Sequence, residues 1–152
     1  MKKDKASFYK SLSNVNNLSD LSYIELDDPS DKAGYFKYQN TKFGFFDSIL
    51  DDGLRIGLFT VFLRSSYAIG KELNNSFDTD FNELKDELDK FSASKVIITV
   101  EEKDKLFELD AQIQIPYYDG KDSSSGIIKA SLDMLLLIQG RVTIFAINHI
   151  LE

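Results

Sequence analysis

The sequence predicts an α+β fold: a helix, a three-stranded antiparallel meander, a second helix, a β-hairpin and a long C-terminal helix, in a single domain over residues 1–152. Three observations lead there. Aromatic and β-branched runs from Gly34 to Arg64 and from Lys95 to Ile115 read as strands. Two stretches, Ile69 to Phe91 and Ile127 to Leu151, repeat apolar residues at helical spacing. The length of 152 residues, with 43% hydrophobic and 28% charged, is that of a globular domain of ordinary size.

Taken in order, Phe8, Leu12, Val15 and Leu18 share one helical face, so a short helix is expected within Ala6 to Ser19, weakened by Asn14, Asn16 and Asn17. Leu21 to Leu26 reads as a short strand, and Asp27-Asp28-Pro29-Ser30-Asp31 as a loop. The meander follows. Gly34 to Gln39 and Lys42 to Leu50 are rich in aromatics and separated by a turn at Asn40-Thr41. Asp51-Asp52-Gly53 is expected to form a tight loop, with Gly53 able to take positive φ. Leu54 to Arg64 alternates at first. Leu58 to Leu63 is then apolar on both faces, as a covered strand would be.

From Ile69 the period changes. Ile69, Leu73, Phe77, Phe81, Leu84, Leu88 and Phe91 form one helical stripe, with a bend expected near Asn74 to Asp80. Val96-Ile97-Ile98-Thr99-Val100 is β-branched throughout, and Leu106 to Ile115 alternates apolar with polar until Pro116, where the strand is expected to end. The last helix places Ile128, Leu132, Leu135, Leu136, Val142, Phe145, Ala146 and Ile150 on one face, with an N-cap from Ser123 to Ser125. Gly140 in its interior predicts close packing or a kink.

The chemistry is bounded by what is scarce. There is no Cys, so disulfides, thiolate metal sites and Cys nucleophiles are excluded, and His149 alone cannot build a multi-His metal site. The formal net charge of −7 argues against a nucleic-acid surface, which needs clustered Lys and Arg. No signal-peptide stretch follows Met1-Lys2-Lys3-Asp4-Lys5. The apolar Leu132 to Leu151 segment is interrupted by Asp133, Gln139, Arg141, Asn148 and His149, so it reads as a buried amphipathic helix, with no membrane partner. A cytoplasmic protein is expected.

Candidate reactive groups each have a simpler structural explanation. Ser123 to Ser125 could pair with His149 only with a nucleophile-elbow pattern, and none surrounds them. The pairs Asp27-Asp28, Asp51-Asp52 and Glu101-Glu102 sit in or beside turns, where acids are solvated. Asp78-x-Asp80-x-Asn82 with Asp89 mimics a calcium loop, but Glu83 occupies the place that needs Gly. No phosphate-binding glycine motif is present. No catalytic residue, cofactor or metal is therefore assigned.

Two features point to contact with another macromolecule. From Asp78 to Phe91 the chain carries six acids against two lysines, which suits a docking face for a basic partner as well as plain solvation. The 12 Phe and 7 Tyr exceed what a small core needs, so part of the meander is expected to be covered by another chain. The partner-binding residues assigned are Phe59, Val61 and Phe62 for apolar contact and Asp80, Glu83 and Glu87 for charge.

The Gly34–Arg64 meander, the Ile69–Phe91 helix with Leu73-Asn74-Asn75, the Lys95–Ile115 hairpin and the Ile127–Leu151 helix together resemble the small acidic chaperones of type III secretion and the related YbjN-type regulators. The likeness lies in element order, size and acidity; the strand at Leu21 to Leu26 departs from it. The resemblance implies a non-enzymatic homodimer holding an extended stretch of a partner along sheet and helix. The function expected is thus an acidic protein-binding module, chaperone- or adaptor-like. The alternative is a stoichiometric inhibitor, an immunity or phage-encoded protein, blocking a nucleic-acid-binding enzyme with its acidic surface.

Overall fold

A computed structural model of the chain describes residues 5–73, 76–91, 94–120 and 125–151. A 3-10 segment spans Phe8–Asn14. Strands follow at β1 (Leu18–Ile24), β2 (Lys32–Tyr38), β3 (Thr41–Asp51) and β4 (Ile56–Ala68). Then come helix α1 (Phe77–Leu88), strands β5 (Ser94–Glu101) and β6 (Leu106–Tyr118), and helix α2 (Ser125–His149). The fold is α+β, and the strands form one sheet in the order β1-β2-β3-β4-β6-β5. The edges follow from that order: β1 and β5 each have a neighbour on one side only.

The chain divides into two compact units, residues 1–62 with 113–133 and residues 63–112 with 134–152. In the first, β1 to β3 and the start of β4 pair antiparallel; Phe36 lies opposite Phe43, Gly44 opposite Phe62, and Phe45 opposite Val61. Alternation puts Phe36, Tyr38, Phe43, Phe45, Phe59 and Val61 on the core side, where Leu12, Ile128 and Leu132 are also buried. Rings meet there at ordinary aromatic distances: Phe45 stacks on Phe59 at 5.9 Å and Phe36 on Phe43 at 5.6 Å. In the second unit the core is a cluster of phenylalanines. Phe77 and Phe81 of α1 approach Phe145 at 5.7 and 6.1 Å, and Phe107 approaches Phe145 at 5.7 Å. Leu84, Leu88, Ile138 and Val142 complete it.

Several local expectations are corrected. The first helical face becomes a 3-10 segment ending at Asn14, because Asn17 takes a left-handed φ of 68° and the chain enters β1 at once. The strand expected at Leu21 to Leu26 starts earlier and ends at Ile24. The stripe expected from Ile69 is helical only from Phe77. Before it, Ile69 N–H bonds the Lys105 carbonyl at 2.8 Å, and the N–H groups of Gly70 and Lys71 both bond the Ile150 carbonyl, which ties this stretch to the β5–β6 turn and the end of α2. Asn74 and Asn75 lie outside the described residues, as do Ser123 and Ser124 of the expected N-cap. In the β3–β4 loop the left-handed residue is Arg55 (φ 56°) and not Gly53. Asp51 supports that loop, accepting from Leu54 N–H at 2.8 Å.

Pro116 does not end β6, which runs on to Tyr118. Asp119 N–H bonds the Arg55 carbonyl beside β4, so odd-numbered residues of β6 face β4 and the nitrogen of Pro116 faces away from it. The eight residues of β5 cannot line all thirteen of β6. The missing donor of Pro116 therefore costs no ladder bond. Gly140 is exposed, and a Cβ built there meets nothing within 4 Å, so the close packing expected of it is absent.

Candidate functional site: the open face of the first unit

The residues assigned to partner binding separate sharply. Phe59 and Val61 are 0% exposed and belong to the core, so they have no surface to give a partner; that expectation is corrected. The reason is parity. In a strand apolar on both faces, odd positions of β4 point inward, and only even positions such as Phe62 reach the other side. Phe62 is half-buried because its ring lies over Gly44 on β3, filling the space that a Cβ would occupy. Glu83 is exposed on α1. Glu87 is paired with Arg141, and Asp80 stands 3.6 Å from the imidazole of His149. Two of the three acids thus face basic groups of their own chain.

Around Phe62 the even-numbered side chains of β3, β4 and β6 form a largely apolar face on the solvent side of this unit, interrupted by Lys42, Ser48, Thr60 and Gln114. β3 contributes Phe46 and Leu50, 38% and 63% exposed, and β6 contributes Tyr118, 57% exposed. Ile56 and Leu58 of β4 and the exposed Pro116 lie in the same rows. On β2, Tyr35 lies opposite Gly44 and carries the Lys42 ammonium 4.5 Å above its ring. A row Tyr35–Gly44–Phe62 results, in which aromatic rings flank a glycine that two strands could not otherwise cover. An exposed sheet face is ordinarily polar, so this apolar surface is the feature that needs a functional account.

On the opposite side of the same strands lies a buried polar cluster that sequence reasoning missed. Asp47 is 0% exposed, accepting the Tyr9 backbone N–H at 2.9 Å and the Tyr117 hydroxyl. Asp119 accepts Ser7 Oγ at 2.6 Å and the Arg55 guanidinium at 2.8 Å. Gly57 makes this arrangement fit, since the Tyr117 ring lies against its backbone where any Cβ would stand. Phe8 stacks on that ring at 4.4 Å. Burial pushes the Asp47 carboxyl up to about 6 despite those two donors, with the charges of Asp119 and Asp31 adding to the shift. Burial and donation to Asp47 raise Tyr117 as well. The chemistry available here is structural: both carboxylates are closed off from solvent, and no buried side-chain polar atom among the described residues lacks a partner. The cluster fastens the 3-10 segment to the sheet. The Asp47 signal was present in the sequence, as an acid at the inward parity between Phe45 and Ile49.

The other acids and the imidazole have ordinary places. Asp28 closes a turn by accepting the Ser30 N–H and hydroxyl, and Asp78 to Asp89 lie on or at the end of α1 rather than in a loop. Among the described residues no three His, Asp or Glu side chains converge as metal ligands would. His149 rests on the Phe145 ring at 4.6 Å. Helix α2 is long and apolar enough to cross a membrane by length and composition. No family model matches the chain, and neither a curated protein nor a solved structure matches it.

Proposed function

We propose that this chain is a non-enzymatic protein-binding module, chaperone- or adaptor-like, that captures a segment of a partner protein on the open face of its first unit. The observation that carries the reading is the apolar surface of Tyr35, Phe46, Leu50, Phe62 and Tyr118, left bare where a polar face costs nothing. Covering each of the more exposed of these side chains contributes on the order of 1 kcal/mol. A few together reach the affinity of modules that recognise a segment through spaced apolar anchors. The acids of α1 that remain exposed, Asp78, Glu83 and Asp86, add a preference for basic partners. The element order that resembles the secretion chaperones is in keeping with this mode of action.

The test is selection of binding segments from a random library of peptides displayed on phage, followed by titration of the winners. The wild type is expected to enrich segments with spaced apolar residues. A Phe46→Lys/Tyr118→Lys variant should lose them at least ten-fold in affinity, while Ser66→Lys in the other unit should not. Equal binding by the double variant would refute the assignment of this face, and enrichment of nothing by the wild type would refute segment capture.

A further inference from the structure

The two edges of the sheet are built differently. On β1 the pairing register shifts between Ser19 and Ser22, Asp20 takes a left-handed φ of 55°, and its carboxylate lies 3.7 Å from Lys37. A bulge and a charge are the usual means of keeping an edge from adding strands. β5 keeps its two charges, Lys95 and Glu101, toward its ends and leaves the stretch between them uncharged. It runs Ser94-Lys95-Val96-Ile97-Ile98-Thr99-Val100-Glu101, β-branched from Val96 to Val100, without proline or glycine and with no residue at positive φ. Its core-side residues Val96, Ile98 and Val100 are only half-buried, whereas Phe107, Leu109 and Ala111 on the neighbouring β6 are fully buried. That edge is open from the side as well as along its backbone.

We infer that β5 pairs with the β5 of a second copy of this chain, antiparallel about a two-fold axis at Ile98. The occupant is chosen by charge and side-chain complementarity. With Ile98 opposite its own copy, Val96 meets Val100, Ile97 meets Thr99, and Lys95 meets Glu101. The last three pairs each occur twice by symmetry. Opposite charges and β-branched residues facing each other across antiparallel strands are the favourable cross-strand combinations. Lys95 and Glu101 are both exposed, and neither has a charged partner among the described residues. Moving the register by one residue would turn each side chain against the opposite face of the partner and set Lys95 against Val100 or against Glu102 in the turn. The pairing also covers the half-open Val96, Ile98 and Val100. It joins two sheets through main-chain hydrogen bonds, the same device that proteins use to add a peptide strand.

This inference concerns only the second unit and does not rest on segment capture by the first. Sedimentation equilibrium of the full chain tests it. The wild type is expected to associate reversibly from 17.3 kDa to twice that mass. Backbone amide exchange within Lys95–Glu101 should slow as concentration rises, with β1 unaffected. Lys95→Glu, a change at an exposed side chain, sets like charges opposite each other twice and should raise the dimer Kd about ten-fold at low salt. The reciprocal Lys95→Glu/Glu101→Lys chain restores both pairs and should return the Kd to the wild-type value. A monomer at all concentrations would overturn the pairing and leave the edge to a different extended chain. A dimer indifferent to Lys95→Glu, or one that the reciprocal exchange fails to restore, would overturn it too.

Discussion

Along β4 the solvent-side residues run Ile56, Leu58, Thr60 and Phe62 in the first unit, then Arg64, Ser66 and Ala68 in the second. Along β6 they run Leu106, Glu108, Asp110 and Gln112 in the second unit, then Gln114, Pro116 and Tyr118 in the first. The inner sides differ as well. The first unit buries Asp47, Asp119 and the hydroxyls of Tyr38 and Tyr117, while the second fills its interior with Phe77, Phe107 and Phe145. Both interiors are apolar, but the first unit sets a buried polar cluster beside its rings and has the more apolar outer face; the second carries an Arg64–Asp110 ion pair on its outer face. The second is the ordinary solution for a sheet that ends at water. The first adds buried hydrogen bonds to its aromatic core and bares apolar side chains on its outer surface.

The sharpest test of this contrast is in the interiors. Phe107→Ala removes a ring that touches Tyr67, Phe81 and Phe145, and should cost about 3–5 kcal/mol in denaturant unfolding. Nothing polar in that core can compensate, so a loss below about 1 kcal/mol would mean that the cluster is loosely packed. Next in size is the pH response of the first unit. The Asp47 carboxyl is raised to about 6 in the folded chain against 3.8 unfolded, so the folded state holds its proton more tightly. Stability from this group is greatest below the unfolded value and is lost as pH rises through about 6. The loss is at most about 3 kcal/mol. Asp47→Asn removes this dependence: relative to wild type, the variant should gain stability between about pH 4 and 6. A constant difference across that range would show that the carboxyl titrates normally. A smaller effect is expected at Gly140 of the second unit. Its Cβ position is empty and exposed, so Gly140→Ala should stabilise the chain by about 0.5–1 kcal/mol through helix propensity alone. Destabilisation there would mean that another chain packs against this stretch of α2.

The α+β class was legible in the sequence, and the reason is periodicity. The alternation of β6 from Leu106 onward and the unbroken β-branched run of β5 have no helical reading, and α2 keeps its helical repeat for longer than any strand would. What the pattern left open were the boundaries. Helix α1 starts only at Phe77, well after Ile69, and Ile69, Gly70 and Lys71 are tied instead to the Lys105 and Ile150 carbonyls, far away in sequence. The candidate site was legible only by half. An excess of aromatics on the meander pointed to strands that carry the proposed face, but Phe59 and Val61 were assigned to contact where parity puts them in the core.

By itself the sequence determined the α+β class, the acidic charge, and the absence of cysteine chemistry, since each of these is a property of local order or of composition. Only the tertiary structure decided which side of each apolar strand faces water, that Asp47 and Asp119 meet Tyr117, Tyr9, Ser7 and Arg55, and that β5 ends the sheet. These depend on residues tens of positions apart. A strand with two apolar faces carries no local mark of which one the helices cover; only the packed neighbours settle it.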